Sequence, residues 1–161
     1  MNWDIADDTA AAIMTPDPVC AEPSTTIRRL AMLLEENEIS GCPVVDRGGR
    51  VIGVVSKTDL IRRCSEGTPE IPPAHLFEVV YERGGAWGGG AGVPMPEPLV
   101  CVQDFMTEGA VTVGPDAPVH EVASLMVERH IHRVIVVDDE MHPIGMITTL
   151  DVLKRFPRAG E

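Results

Sequence analysis

Basic residues are scarce in this chain of 161 residues: 13 Lys and Arg stand against 25 Asp and Glu, for a formal net charge of -12. A field of that sign repels phosphate backbones and anionic lipid surfaces, which argues against nucleic acid or a membrane as the partner. A small anion is still admissible, because backbone N–H groups at a helix start act locally. No apolar run reaches the ~20 residues that a membrane span needs. The opening stretch Met1-Asn2-Trp3-Asp4-Ile5-Ala6-Asp7-Asp8 is acidic where a signal peptide is basic, and it lacks an apolar core segment, so a cytoplasmic location is expected. Cys20, Cys42, Cys64 and Cys101 form no CxxC pair, so neither a zinc knuckle nor a redox dithiol is indicated, and buried or idle thiols are the reading. With 44% hydrophobic and 24% charged residues, the composition is that of a folded domain rather than a disordered segment.

What the chain does contain is a copy of itself. A shift of 92 residues, without a gap, places Met14-Thr15 on Met106-Thr107 and Val44-Val45-Asp46 on Val136-Val137-Asp138. It also places Ile52-Gly53 on Ile144-Gly145 and Asp59 on Asp151, with Val19, Pro23, Ala31, Leu33, Glu36 and Ile39 matched in the same way. Each copy has about 50 residues, too few to bury a sufficient core alone, so the two are expected to share one.

Both copies show one order of elements. Val19-Cys20-Ala21 and Ala110 to Val113 are short β-like runs. Thr25 through Asn37 places Ile27, Leu30, Ala31, Leu34 and Glu38 at helical spacing, with Ser24 or Thr25 as N-cap, and Asp116 through Arg129 repeats the pattern with Val119, Val122, Ala123 and Met126. A hairpin follows, Cys42 to Asp46 and Val51 to Val55 around Gly48-Gly49, matched by Arg133 to Asp138 and Pro143 to Ile147. A last helix runs from Lys57 to about Cys64 and from Thr149 to about Phe156. The fold class is therefore α/β (α+β), two strand-helix-strand-strand-helix repeats about a pseudo-two-fold axis. The expected division is a first repeat with the N-terminal segment at 1–64, a Pro/Gly-rich insert at 65–98, and a second repeat at 99–161. The insert carries a candidate helix, Ala74 to Arg83, and a glycine tract around Trp87, read as a mobile loop.

Chemistry concentrates where the hairpin meets the last helix. Gly53-Val54-Val55-Ser56-Lys57-Thr58-Asp59 matches Gly145-Met146-Ile147-Thr148-Thr149-Leu150-Asp151 as glycine, two apolar residues, a hydroxyl, two variable positions and Asp. Ser56 with Asp59, and Thr148 with Asp151, have capping-box spacing, and capping alone accounts for it. The same geometry also suits a nucleotide. Helix-start N–H groups and a hydroxyl face a phosphate, and a carboxylate one turn in accepts the two hydroxyls of a ribose. An apolar slot with backbone donors for the base is available at Ile39 to Pro43.

These motifs resemble those of a tandem pair of CBS domains, a Bateman module, named after cystathionine β-synthase. The resemblance rests on Ile13-Met14-Thr15-Pro16, Pro43-Val44-Val45-Asp46 and Gly53 to Asp59, and on Phe105-Met106-Thr107, Ile135-Val136-Val137-Asp138 and Gly145 to Asp151. It implies a regulatory module binding AMP, ADP, ATP or S-adenosylmethionine between the repeats, with no required cofactor. By position it implies Asp59 and Asp151 as ribose carboxylates. It implies Ser56, Lys57, Thr58, Thr148 and Thr149 near ribose and phosphates, and Thr15, Ile39, Gly41, Pro43, Ile131, Arg133 and Ile135 around the base. Leu150 in place of Thr58, and Ile135 in place of Pro43, predict two unequal clefts, the Asp59 cleft better suited to phosphorylated ligands. The family pairs through its helices, so a homodimer is expected, acting on a regulated protein that the sequence does not identify.

Other chemistries fit less well. His130-Ile131-His132 with Glu128 sits beside Arg129 and Arg133, and such cations disfavour a bound metal, so surface histidines are the reading. Ser56 and Cys42 have no base beside them in sequence, no GK[ST] follows the glycine tract, and no enzyme is expected. The rival from another class is a ligand-free interaction module whose Ser/Thr-x-x-Asp motifs are caps only.

Overall fold

The computed structural model describes residues 8–66 and 100–156. The acidic N-terminus to Asp7, the candidate helix at 74–83, the glycine tract and Trp87 lie outside the described residues. The elements are α1 (Ala10–Ile13), β1 (Thr15–Pro16), α2 (Ile27–Glu36), β2 (Gly41–Val45), β3 (Val51–Ser56) and α3 (Lys57–Glu66). A 3-10 turn (Val102–Asp104), β4 (Thr107–Glu108), β5 (Thr112–Val113), α4 (Val119–Arg129), β6 (Arg133–Val137), β7 (Pro143–Thr148) and α5 (Thr149–Leu153) follow. Among the described residues, no helix is long and apolar enough to cross a membrane.

Helices and two sheets alternate as expected, but several boundaries differ. The N-cap of α2 is Thr26, whose hydroxyl accepts from Arg29 N at 3.3 Å, while the Thr25 hydroxyl accepts from Glu22 N at 3.0 Å in the preceding turn. Val19-Cys20-Ala21 forms no strand, and only Ala21 bridges to Val44. Helix α4 starts at Val119, with Pro118 in the N-cap position and no side-chain cap bond, and α5 ends at Leu153.

Glu38 is not on the buried face of α2. It follows the C-cap Asn37 with φ 53, and His130, 92 positions on and itself the C-cap of α4, has the same φ of 53. In both places the next residue closes the helix end, Ile39 N on Leu34 O and Ile131 N on Met126 O, each at 3.0 Å. A left-handed residue is needed there, and glycine takes that conformation without the Cβ penalty. Glu38→Gly and His130→Gly are each expected to raise stability by about 0.5–1 kcal/mol, the relieved strain less glycine's extra chain entropy. Chemical denaturation checks this.

The sheets are β2-β3-β4 and β1-β7-β6-β5, so each repeat's short opening strand joins the other repeat's sheet. Thr15 pairs with Met146, and Thr107 pairs with Val54. The docking is reciprocal: Ala10 N donates to Ala117 O and Val102 N to Thr25 O, both at 2.8 Å. Two cores result, rather than the shared one expected. Ile27, Leu30, Leu34, Cys42, Val44 and Val55 are closed by Val100 and Val102 from the second segment. Val119, Val122, Val134, Val136 and Ile147 are closed by Ala10 and Ile13 from the N-terminal one. Among the described residues each half-size core is thus completed by chain exchange, which ties the repeats together.

Candidate functional site

Strand alternation sorts the hairpin residues into two faces. Cys42 and Val44 point into the first core, and Val134 and Val136 into the second. Gly41 and Pro43, with Arg133 and Ile135, therefore lie on the opposite faces, where the two repeats meet. Gly41 and Arg133 are equivalent under the 92-residue shift, and the Arg133 side chain lies over Gly41. A Cβ at position 41 would collide with the guanidinium and would stand 2.8 Å from the Val55 carbonyl. Arg133 Nη2 donates to Ser40 Oγ at 3.1 Å. Burial pushes the guanidinium below its ordinary pKa, while the charge of Asp59 pulls the other way.

The register brings both helix starts to this place. Gly41 pairs with Ser56, and Arg133 with Thr148. The backbone of Arg133 thus belongs to the second helix start, and its side chain reaches the first. Lys57 N donates to Ser40 O at 2.9 Å and Thr149 N to His132 O at 3.0 Å, which anchors each helix to its own hairpin.

Both helix starts are closed boxes. Asp59 Oδ2 accepts from Ser56 N at 2.8 Å and Ser56 Oγ at 2.7 Å, and Asp59 N donates to Ser56 Oγ at 3.3 Å. Asp151 Oδ2 accepts from Thr148 N at 2.9 Å and Thr148 Oγ1 at 2.6 Å, with Asp151 N to Thr148 Oγ1 at 3.4 Å. Asp59 Oδ1 takes no part in its box, whereas Asp151 Oδ1 accepts from Lys154 Nζ at 3.2 Å. Burial opposes ionisation of Asp151, but the bonds from Thr148 and Lys154 outweigh it and hold the carboxyl below its ordinary value. Its stabilising contribution is therefore present above the unfolded pKa and lost as pH falls through the folded one. Acid titration of unfolding is expected to show less loss in Asp151→Asn than in the wild type. Ser56→Ala and Thr148→Ala are each expected to cost about 1 kcal/mol, read by denaturation without ligand.

Lys57, Thr58, Thr149 and Leu150 are exposed on the first turns of their helices, and the Thr149 hydroxyl donates to His132 O at 3.3 Å. Ile39 and Ile131 are half-buried against their own cores, while Pro43 and Ile135 are buried. Thr15 is exposed beside β7 of the other repeat. Ser40, inside the expected base slot, accepts from Lys57 N through its carbonyl and from Arg133 through its hydroxyl, while Thr107, the counterpart of Thr15, pairs with Val54 of β3. Burial pushes the Cys42 thiol up to about 12, with nearby Cys20 adding to the rise, which keeps it protonated and inert.

The family model described as "CBS domain" matches residues 10–66 and 102–158. Among curated relatives, the uncharacterized protein MJ1426 of Methanocaldococcus jannaschii is 27% identical over 135 residues, 76% of this chain and 76% of its own length. Other relatives are far longer: the chain spans 21% of the inosine-5'-monophosphate dehydrogenase of Halobacterium salinarum. Among solved structures, CBSX2 of Arabidopsis thaliana in complex with AMP is 26% identical with TM-score 0.65, covering 91% of this chain and 93% of that one. The CBS domain pair of protein MJ0100, in complex with 5'-methylthioadenosine and S-adenosyl-L-methionine, has TM-score 0.69 at 21% identity, covering 91% and 94%.

Proposed function

The chain belongs to the CBS domain family, and from that premise we propose that it is a regulatory sensor module binding an adenine nucleotide or related adenosyl compound between its repeats. The observation that carries this is Asp59, with one carboxylate oxygen outside its cap, on a helix start whose Ser56 pairs with Gly41, the residue over which Arg133 from the other repeat lies. The free oxygen suits two ribose hydroxyls, and the Arg133 guanidinium, which the resemblance placed around the base, suits a phosphate. The AMP complex of CBSX2 supports the ligand class. Pro43 and Ile135, together with the backbone around Ser40, would receive the base. Ser56, Lys57 and Thr58 would lie near ribose and phosphate at the first helix start. Thr148, Thr149 and Asp151 are their counterparts at the second, where Lys154 already holds Asp151 Oδ1.

The output of such a module is a shift between conformations or assemblies, limited by how far the ligand prefers one over the other. The helices support a homodimer as the assembly. Ile61 and Leu153, equivalent under the shift, are 52% and 55% exposed on the last helix of each repeat, so one apolar contact is presented twice. The role is non-catalytic, exercised in the cytoplasm on a regulated protein. Calorimetric titration with AMP, ADP, ATP and S-adenosylmethionine tests the reading. Heat of binding with one of them is expected, and none with any leaves the carboxylates as helix caps in a ligand-free interaction module.

A further inference from the structure

The two helix starts carry the same cap but treat their second carboxylate oxygen differently. Asp151 Oδ1 is held by Lys154, three residues along the same helix. The residue equivalent to Lys154 is Arg62, which is exposed and makes no such bond to Asp59. The cross-repeat cation also runs one way only. Arg133 reaches over Gly41 toward Asp59, and Gly41, its counterpart, has no side chain to send back toward Asp151. The two carboxylates therefore differ at their second oxygen. An ammonium sits directly on Asp151 Oδ1, whereas Asp59 Oδ1 takes no part in its cap and the cross-repeat guanidinium lies over Gly41 instead. A ribose at Asp59 displaces no protein group, whereas a ribose at Asp151 must first displace Lys154. The apolar Leu150, standing where the first start has Thr58, adds no donor to offset that loss.

We infer that the chain is a one-ligand sensor in which Lys154 is the specificity-determining residue, reserving Asp151 for the helix cap while Asp59 receives the ligand. This deepens the adenosyl-binding reading and rests on it. Asparagine separates cap from ligand at either site. Its carbonyl oxygen still accepts the cap bonds, but its amide cannot accept a ribose hydroxyl.

Equilibrium dialysis of the full chain against AMP is expected to give one equivalent per chain. Asp59→Asn should weaken it at least about tenfold, the scale of losing a charged acceptor, and Asp151→Asn should leave it within about twofold. Lys154→Met, probed with uncharged adenosine so that net charge does not enter, should bind more than one equivalent, while Lys154→Arg, which keeps the pair, should stay at one. Thermal unfolding of each variant confirms that it is folded at the assay temperature. Two equivalents of AMP in the wild type, a loss confined to Asp151→Asn, or a Lys154→Met chain that stays at one equivalent would each overturn the inference while leaving the adenosyl reading intact. A wild type that binds none of AMP, ADP, ATP and S-adenosylmethionine would overturn both.

Discussion

Gly53→Ala is expected to destabilise the chain by about 1–3 kcal/mol, and Gly145→Ala by visibly less. The two glycines are equivalent in the repeat, and each receives the methionine of the other repeat's opening segment. Their surroundings differ in what can yield. A Cβ at 53 would stand 2.7 Å from the Thr107 carbonyl oxygen and 3.2 Å from Met106 Sδ. Thr107 is fixed by its pairing to Val54, so relief requires moving a strand. The three atoms nearest a Cβ at 145 are Sδ, Cγ and Cβ of Met14, the Cβ at 3.0 Å, and methionine is an adaptable filler. The exchange of opening strands therefore makes a glycine necessary in both motifs but more costly to replace in the first. Denaturant midpoints of the two variants, measured side by side, check the order. Equal costs would mean that β4 yields as easily as a methionine side chain.

Arg133→Ala is expected to lower AMP affinity roughly tenfold to a hundredfold, the scale of one or two charge-assisted hydrogen bonds, and to leave adenosine affinity little changed. The guanidinium is partly desolvated and held by Ser40 Oγ over Gly41, so the loss falls on the phosphate rather than on ribose or base. Gly41→Ala should act in the same direction, since its Cβ would push the guanidinium from this place. Calorimetric titration with both ligands separates the effects. Equal losses for AMP and adenosine would mean that Arg133 supports the cleft structurally instead of pairing with an anion.

Both predictions depend on features that the sequence shows unevenly. The repeat, the hairpins and the two capping boxes were legible because they rest on local chemistry. Alternation gives β2 and β6, and Ser56-x-x-Asp59 closes on itself whatever lies around it. The helix boundaries were less so. Thr25 and Thr26 both suit an N-cap, and the choice went to Thr26 because Thr25 is spent on Glu22 N. Glu38 fits a helical spacing by type, but the chain turns left-handed there, as it does at His130, so that Ile39 and Ile131 can close the helix ends. The exchange of the opening strands was not legible. Nothing local distinguishes Met14-Thr15 docking on its own hairpin from docking on the other, and the outcome is decided by long-range burial of Ala10 and Ile13 beneath Val119 and Val122. For the same reason the cross-repeat reach of Arg133 onto Gly41 was hidden, although a difference between the two helix starts was visible in Leu150 against Thr58. The tether of Asp151 by Lys154 is a short-range pair that i, i+3 spacing would have suggested.

On the proposed reading, the Ser56-x-x-Asp59 helix start serves an adenosyl ligand rather than only capping its helix. The most direct test is thermal unfolding of the wild type, Asp59→Ala and Asp151→Ala, each with and without AMP, ADP, ATP and S-adenosylmethionine. A ligand at about 100 times its dissociation constant adds about 2.7 kcal/mol, a rise of several degrees for a protein of this size. The account predicts such a rise in the wild type and in Asp151→Ala, each from its own baseline, and its loss in Asp59→Ala. Unchanged melting with every compound, and variants that are merely less stable, would contradict it.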